Sequence, residues 1–273
     1  YIAMAIGDRP ALALGFVGGM MASSGTSGFL GALVAGFVAG YIVLLLRKIF
    51  SKLPESLEGI KPTLLYPVLG VFIMGALMLF VFNPIIGVIN DALANLLNSM
   101  GSVSKVILGI VLGGMMAIDM GGPINKAAYV FGTMSIANGN YDIMAAVMVG
   151  GMVPPIGIAL ATTFFKNRFS KSERQSGITN YVMGLAFITE GAIPFAAADP
   201  LHVIPAAAVG AAVAGALSMV FGCTLMAPHG GIFTFIVCDH PLLYIVALAV
   251  GSVAGAFMFS ILKKNVNSAV KSK

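Results

Sequence analysis

The stretch Ile178–Phe195 reads ITNYVMGLAFITEGAIPF, and its reading decides the fold. Ile178 to Ile188 is an apolar helical piece of about half the length of a bilayer crossing, which takes roughly 20 residues for a core of about 30 Å. It runs into Thr189-Glu190-Gly191-Ala192-Ile193-Pro194-Phe195, where Gly and Pro interrupt the helix and an acid stands among apolar neighbours. A charged side chain at the bilayer centre costs about 2.5–3.5 kcal/mol on insertion scales, so such a residue marks a functional site. Backbone outside regular helix is tolerated at membrane depth only where it lines a cavity or is buried in protein. The stretch therefore predicts a helix broken around a site, inside a membrane-embedded chain.

The remaining sequence agrees. Of 273 residues, 59% are hydrophobic and 9% charged, against about 25% charged in a soluble domain. That composition excludes a soluble enzyme. Full spans are read at Phe29–Leu46, Leu64–Ile89, Ile143–Phe165, Val203–Phe221 and Leu242–Leu262. Pro84 is expected to bend the second, and the third carries Pro154-Pro155. Ala11–Met21 is apolar and gives way to a polar break over 22–28, and Asp91–Lys105 reads as a loop. The 34 glycines allow close helix contacts and breaks. An opening at Tyr1, without Met and within an apolar stretch, reads as a fragment whose upstream helices are missing.

Charge sets the expected topology. The net charge of +5 is spread over short loops, not over one basic face, so a nucleic-acid partner is not expected. Basic clusters at 47–61, 166–174 and 263–273 should share the cytoplasmic side of an inner membrane. The chain from 178 to 262 must then cross an even number of times. Two full spans satisfy that, so the short pieces around Glu190 and His229 are expected to be re-entrant hairpins. The fold class is an all-α polytopic membrane protein with broken helices, in one membrane domain over 1–273. Cys223 and Cys238 read as buried, inert thiols, and no metal-ligand spacing or nucleotide loop is present.

Candidate site residues gather at the breaks. Glu190 can accept hydrogen bonds from neighbouring hydroxyls, as a sugar ligand requires. Capping of a half-helix or pairing with a lysine is the structural alternative. His229, in Pro228-His229-Gly230-Gly231, can donate, accept or take a proton. His202 and Asp199 follow the Glu190 break, where Asp199-Pro200 equally fits a helix start. Asp119, Asn125 and Lys126 flank Gly121-Gly122-Pro123, with Asp119 the expected partner of Lys126. Asp239-His240-Pro241 reads as an interfacial loop.

These segments resemble a known family. Ile188–Phe195, Gly121-Gly122-Pro123-Ile124-Asn125-Lys126-Ala127-Ala128, Ala227-Pro228-His229-Gly230-Gly231-Ile232-Phe233 and the loop Leu53–Pro62 look like the fructose-type enzyme IIC component of the bacterial phosphoenolpyruvate-dependent phosphotransferase system. His202 departs from it, standing where arginine is expected. The resemblance implies a homodimeric permease for fructose or a related hexose, moving by an elevator-like motion of a part around 106–240. Enzyme IIB, served by enzyme IIA, would supply the phosphoryl group from a phosphocysteine, with no cofactor in this chain. Glu190 and His229 would bind sugar and accept its proton, with Asn125, Thr189, Gly122, Gly230, His202 and Asp119 as further substrate contacts. The rival reading is a secondary transporter coupled to H⁺ or Na⁺ through Glu190 or Asp119.

Overall fold

The computed structural model describes residues 1–54, 57–99 and 101–263. Glu55 and Ser56 of the loop Leu53–Pro62, and Lys264, Lys271 and Lys273 of the third basic cluster, lie outside the described residues. Among the described residues, five helices are long and apolar enough to cross a membrane: Gly28–Lys52, Lys61–Ile89, Tyr141–Phe164, Pro200–Val220 and Pro241–Leu262. They match the five expected spans within a few residues, and no β-strand occurs among the described residues. The chain divides into a unit of residues 1–99 and one of residues 100–273.

The first unit holds α1 (Ile2–Gly7), α2 (Ala11–Ser24), α3 (Gly28–Ile49), α4 (Tyr66–Leu77) and α5 (Asn83–Ser99). Leu14, Val43, Met74 and Met78 are fully buried between them. At the polar break after α2, Ser27 Oγ donates to Asn83 Oδ1 (2.5 Å), and Asn83 Nδ2 donates to the Met21 carbonyl (3.2 Å). Pro84 has no N–H for the carbonyl four residues back. The chain absorbs that loss in a π-helical turn over Met78–Phe82, and the helix continues. The loop expected from Asp91 is instead the end of α5, so that expectation is corrected. Apolar Ile86, Ile89, Leu93 and Leu97 recur at helical spacing, a pattern that low hydropathy conceals.

The second unit is assembled around α8 (Tyr141–Phe164), nearly all of which is buried. Packed on it are α6 (Ser102–Ile118), α7 (Pro123–Ala137), α9 (Lys171–Leu185), α11 (Pro200–Val220) and α12 (Pro241–Leu262), while the short α10 (Ile193–Ala198) leads into α11. Glycines set these distances. A Cβ on Gly109 would stand 2.5 Å from the Gly215 carbonyl, and one on Gly150 would stand 2.6 Å from Gly113 Cα. Backbones touching in this way rely on van der Waals packing, which replaces the hydrophobic drive between helices in lipid. Tyr244, fully buried, donates its hydroxyl to the Ala145 carbonyl (2.8 Å) and ties α12 to α8. Cys223 and Cys238 are both buried and unlinked.

A charged latch closes one end of this unit. Ser170 and Glu173 form a capping box at the start of α9. Lys263, buried at the end of α12, reaches Glu173 Oε1 at 2.7 Å and lies 4.6 Å from the centroid of Phe169. Burial alone would raise the Glu173 carboxyl. Hydrogen bonds from Lys263 and Ser170 outweigh it and hold the carboxyl below its ordinary value. A depressed carboxylate stabilises the fold above its unfolded pKa, and that stability is lost as pH falls through the folded one. Glu173→Gln should therefore lower the unfolding temperature at pH 7, with the gap to the parent protein closing as the pH drops through the carboxylate range. A gap independent of pH would assign the cost to the capping geometry alone.

Candidate functional site

The site lies in the second unit, where the breaks foreseen in the sequence converge. The first break separates α6 from α7. Met120 (φ 46°) and Gly121 (φ 113°) turn the chain in the left-handed region. Asp119 accepts from the backbone N–H groups of Ile124 (2.6 Å) and Asn125 (2.9 Å), satisfying two donors that open α7. Gly122 leaves room for that carboxylate, since a Cβ there would stand 2.6 Å from Asp119 Oδ2. Asn125 is buried, and its amide donates to the Met116 carbonyl at 2.8 Å. This aims its oxygen away from that carbonyl.

The second break lies between α9 and α10. Phe187 takes φ 63°, buries its ring, and hands over to a 3-10 turn at Thr189–Ala192. Pro154-Pro155 explains what anchors that turn. Pro155 has no N–H to give the Gly151 carbonyl four residues earlier, and the Thr189 hydroxyl takes its place at 2.8 Å. The tandem prolines thus leave α8 unbroken while opening an acceptor at the site. Glu190, next in sequence, is about half exposed, with Lys126 Nζ 3.8 Å from its Oε1. Gly121 faces the same carboxylate: a Cβ would come within 2.8 Å of Oε1.

The third break brings His229 against the second. Leu225 and Cys238 form an isolated antiparallel bridge at its base. Thr224 donates to Asp239 there (2.5 Å). Gly230 (φ 132°) and Gly231 (φ 58°) then turn the chain so closely that a Cβ on Gly231 would stand 2.1 Å from the Leu185 carbonyl. His229 lies 5.0 Å from Phe187 and 6.4 Å from Tyr129, ring centre to ring centre.

The result is a cavity of about 190 Å³ among the described residues, lined by Asn125, Lys126, Tyr129, Thr189, Glu190 and His229, with Met116 and Phe187 completing its wall. One carboxylate, one ammonium, an amide, a hydroxyl and an imidazole meet two aromatic rings there. Of the expected residues, Glu190, His229, Asn125 and Thr189 come together. Gly122, Gly230 and Asp119 shape the breaks, outside the lining. His202 is elsewhere, bonded through Nδ1 to Asp199 Oδ1 (2.6 Å) at the start of α11. Lys126 faces Glu190, not Asp119, because the Asp119 oxygens are taken up by the α7 backbone. Tyr129 and Phe187 were not foreseen. Tyr129 stands one helical turn after Asn125, a spacing that places both on one face, whereas Phe187 is hidden in the apolar piece 178–188.

Comparison with known proteins gives the lineage. The family model described as "Phosphotransferase system, EIIC" matches residues 1–210. The fructose permease IIC component of Bacillus amyloliquefaciens is 57% identical over 266 residues, covering 97% of this chain and 87% of that protein. The PTS system fructose-specific EIIABC component of Bacillus subtilis (strain 168) is also 57% identical over 266 residues, and the chain spans only 42% of its length. The PTS system fructose-specific EIIC component of Haloferax volcanii is 41% identical over 286 residues, with coverage of 98% of this chain and 76% of that protein. No solved structure gives a significant match. The chain belongs to the phosphotransferase system EIIC family.

Proposed function

We propose that this chain is the sugar-conducting part of a fructose phosphotransferase system. The observation that carries the reading is the cavity where the three breaks meet, with Glu190, Lys126, Asn125 and His229 around two aromatic rings. Its volume of about 190 Å³ is below the roughly 300–1,000 Å³ of drug-sized pockets, a size suited to a monosaccharide. Glu190 accepts from sugar hydroxyls, Lys126 donates, and the Asn125 amide oxygen accepts, while Phe187 and Tyr129 cover the apolar C–H face of the ring. Relatives named as fructose permease components support fructose as the hexose.

Coupling comes from a partner domain. A cytoplasmic enzyme IIB domain presents the phosphoryl group on a cysteine, and relatives named EIIABC and EIIB'BC support a IIB partner. Neither buried thiol of this chain reaches such a role. Glu190 or His229 takes the proton from the reacting hydroxyl as transfer proceeds. The product is anionic and leaves inward. Movement is elevator-like, with the breaks at Glu190 and His229 as the tips of re-entrant hairpins in a homodimer of the inner membrane, basic loops facing the cytoplasm. Equilibrium binding of radiolabelled fructose to the purified protein tests the site. Saturable binding displaced by unlabelled fructose is expected, and His229→Ala should weaken it about tenfold, the loss of one hydrogen bond worth roughly 1.5 kcal/mol. Absence of saturable binding at millimolar fructose contradicts the assignment.

A further inference from the structure

A second cavity of the same unit shares no lining residue with the first. It measures about 420 Å³ and sits at the turn between α8 and α9, lined by Thr163, Lys166, Lys171, Arg174, Gln175 and Ile178. None of its three cations is ion-paired among the described residues. Arg174 Nε is shut off from solvent without a hydrogen-bond partner. The one acid beside them, Glu173, is engaged by Lys263 and the Ser170 cap, so it does not neutralise the cavity. The start of α9 is already capped, and the attraction for an anion comes from the side chains.

The cavity is also amphipathic. Ile178 in its wall begins an exposed apolar row along α9, continued by Val182 (72% exposed) and Leu185 (37%) at helical spacing. Phe164, the last residue of the α8 span and next in sequence to Thr163 of the lining, is 73% exposed. Cations at the end of a membrane span, opening onto an apolar track, match a phosphate with acyl chains attached. A free phosphate uses only the polar half. Basic pockets between membrane helices are the sites at which anionic headgroups dock.

We infer that the Lys166–Lys171–Arg174 cavity is a binding site for the phosphodiester headgroup of an anionic phospholipid, with its acyl chain along Ile178, Val182 and Leu185. The site holds the α8–α9 turn at the headgroup level.

Thermal unfolding of the full chain in a mild detergent, titrated with phosphatidylglycerol, phosphatidylcholine or inorganic phosphate, tests this. Phosphatidylglycerol should raise the unfolding temperature saturably, and the other two should not. Lys166 and Lys171 are exposed, so replacing both leaves the fold intact. The double variant Lys166→Gln/Lys171→Gln should need about 30-fold more phosphatidylglycerol for the same shift, roughly fivefold per charge. Lys166→Arg/Lys171→Arg should respond like the parent protein. Equal protection by inorganic phosphate would make this a free-anion site and overturn the lipid assignment. Equal protection by phosphatidylcholine, or an unaltered response in the Gln variant, would overturn it as well.

Discussion

Glu190→Gln should cut phosphoenolpyruvate-dependent sugar phosphorylation in membranes by about 100-fold or more, from a protein that remains folded. Gln keeps the size of the side chain but removes its charge and its basicity. Hydrogen bonds to a charged group contribute about 1.5–3 kcal/mol each, or roughly tenfold to 150-fold in affinity. Loss of a positioned proton acceptor removes a further 10²–10⁴-fold in rate, by typical magnitudes. The structural cost is small by comparison. Glu190 is 48% and Lys126 61% exposed at their side chains, and their separation is 3.8 Å. An ion pair so open to water contributes no more than about 1 kcal/mol. Phosphorylation rates, read beside the unfolding temperature of the same variant, separate the two effects. Near-normal phosphorylation would remove Glu190 from the sugar site.

Gly231→Ala should act through the fold instead. Its φ of 58° belongs to the left-handed region, and the added Cβ would meet the Leu185 carbonyl at 2.1 Å and the Phe187 nitrogen at 2.8 Å. Those are backbone atoms at the end of α9, so no side-chain rotation relieves the clash. Strained conformation and overpacking together cost about 2–4 kcal/mol. The loop carrying His229 must move away from Phe187, opening the cavity. The expected result is a lower unfolding temperature together with lost fructose binding. Gly222→Ala is the control: its φ of 62° is equally left-handed, but nothing stands within 4 Å of its Cβ. It should keep fructose binding. Equal loss of binding in both variants would show that strain alone, not the approach to α9, matters.

Much of the architecture was legible because hydropathy and charge carry it. The five spans are long apolar runs whose ends carry turn residues, and they recur in the structure within a few residues. The three breaks were legible for the opposite reason: Gly, Pro and isolated polar residues have no business in a lipid-facing helix. Their convergence on one site was implied by the family resemblance, not by hydropathy or charge. Which breaks meet depends on backbone contacts such as Gly231 against Leu185 and Gly121 against Glu190. The partner of Lys126 was misread for the same reason. Sequence proximity favoured Asp119, but the first turn of α7 needs that carboxylate for its N–H groups. Pro154-Pro155 stood out within a full span, yet the freed carbonyl acquires meaning only when Thr189 reaches it from the second break. Phe187 gave no signal, being an apolar residue in an apolar run. The tail of α5 was missed because its many Asn residues lower hydropathy without ending the helical period.

The central claim is that the cavity holds a sugar for phosphorylation by a cytoplasmic partner. Uptake of radiolabelled fructose into membrane vesicles carrying the protein measures it most directly, with and without phosphoenolpyruvate and the soluble phosphotransferase components. Label appearing as sugar phosphate only when those components are present is the predicted result. Free fructose accumulating without them, and collapsing on addition of an ionophore, would contradict the account and make Glu190 an ion-coupling site.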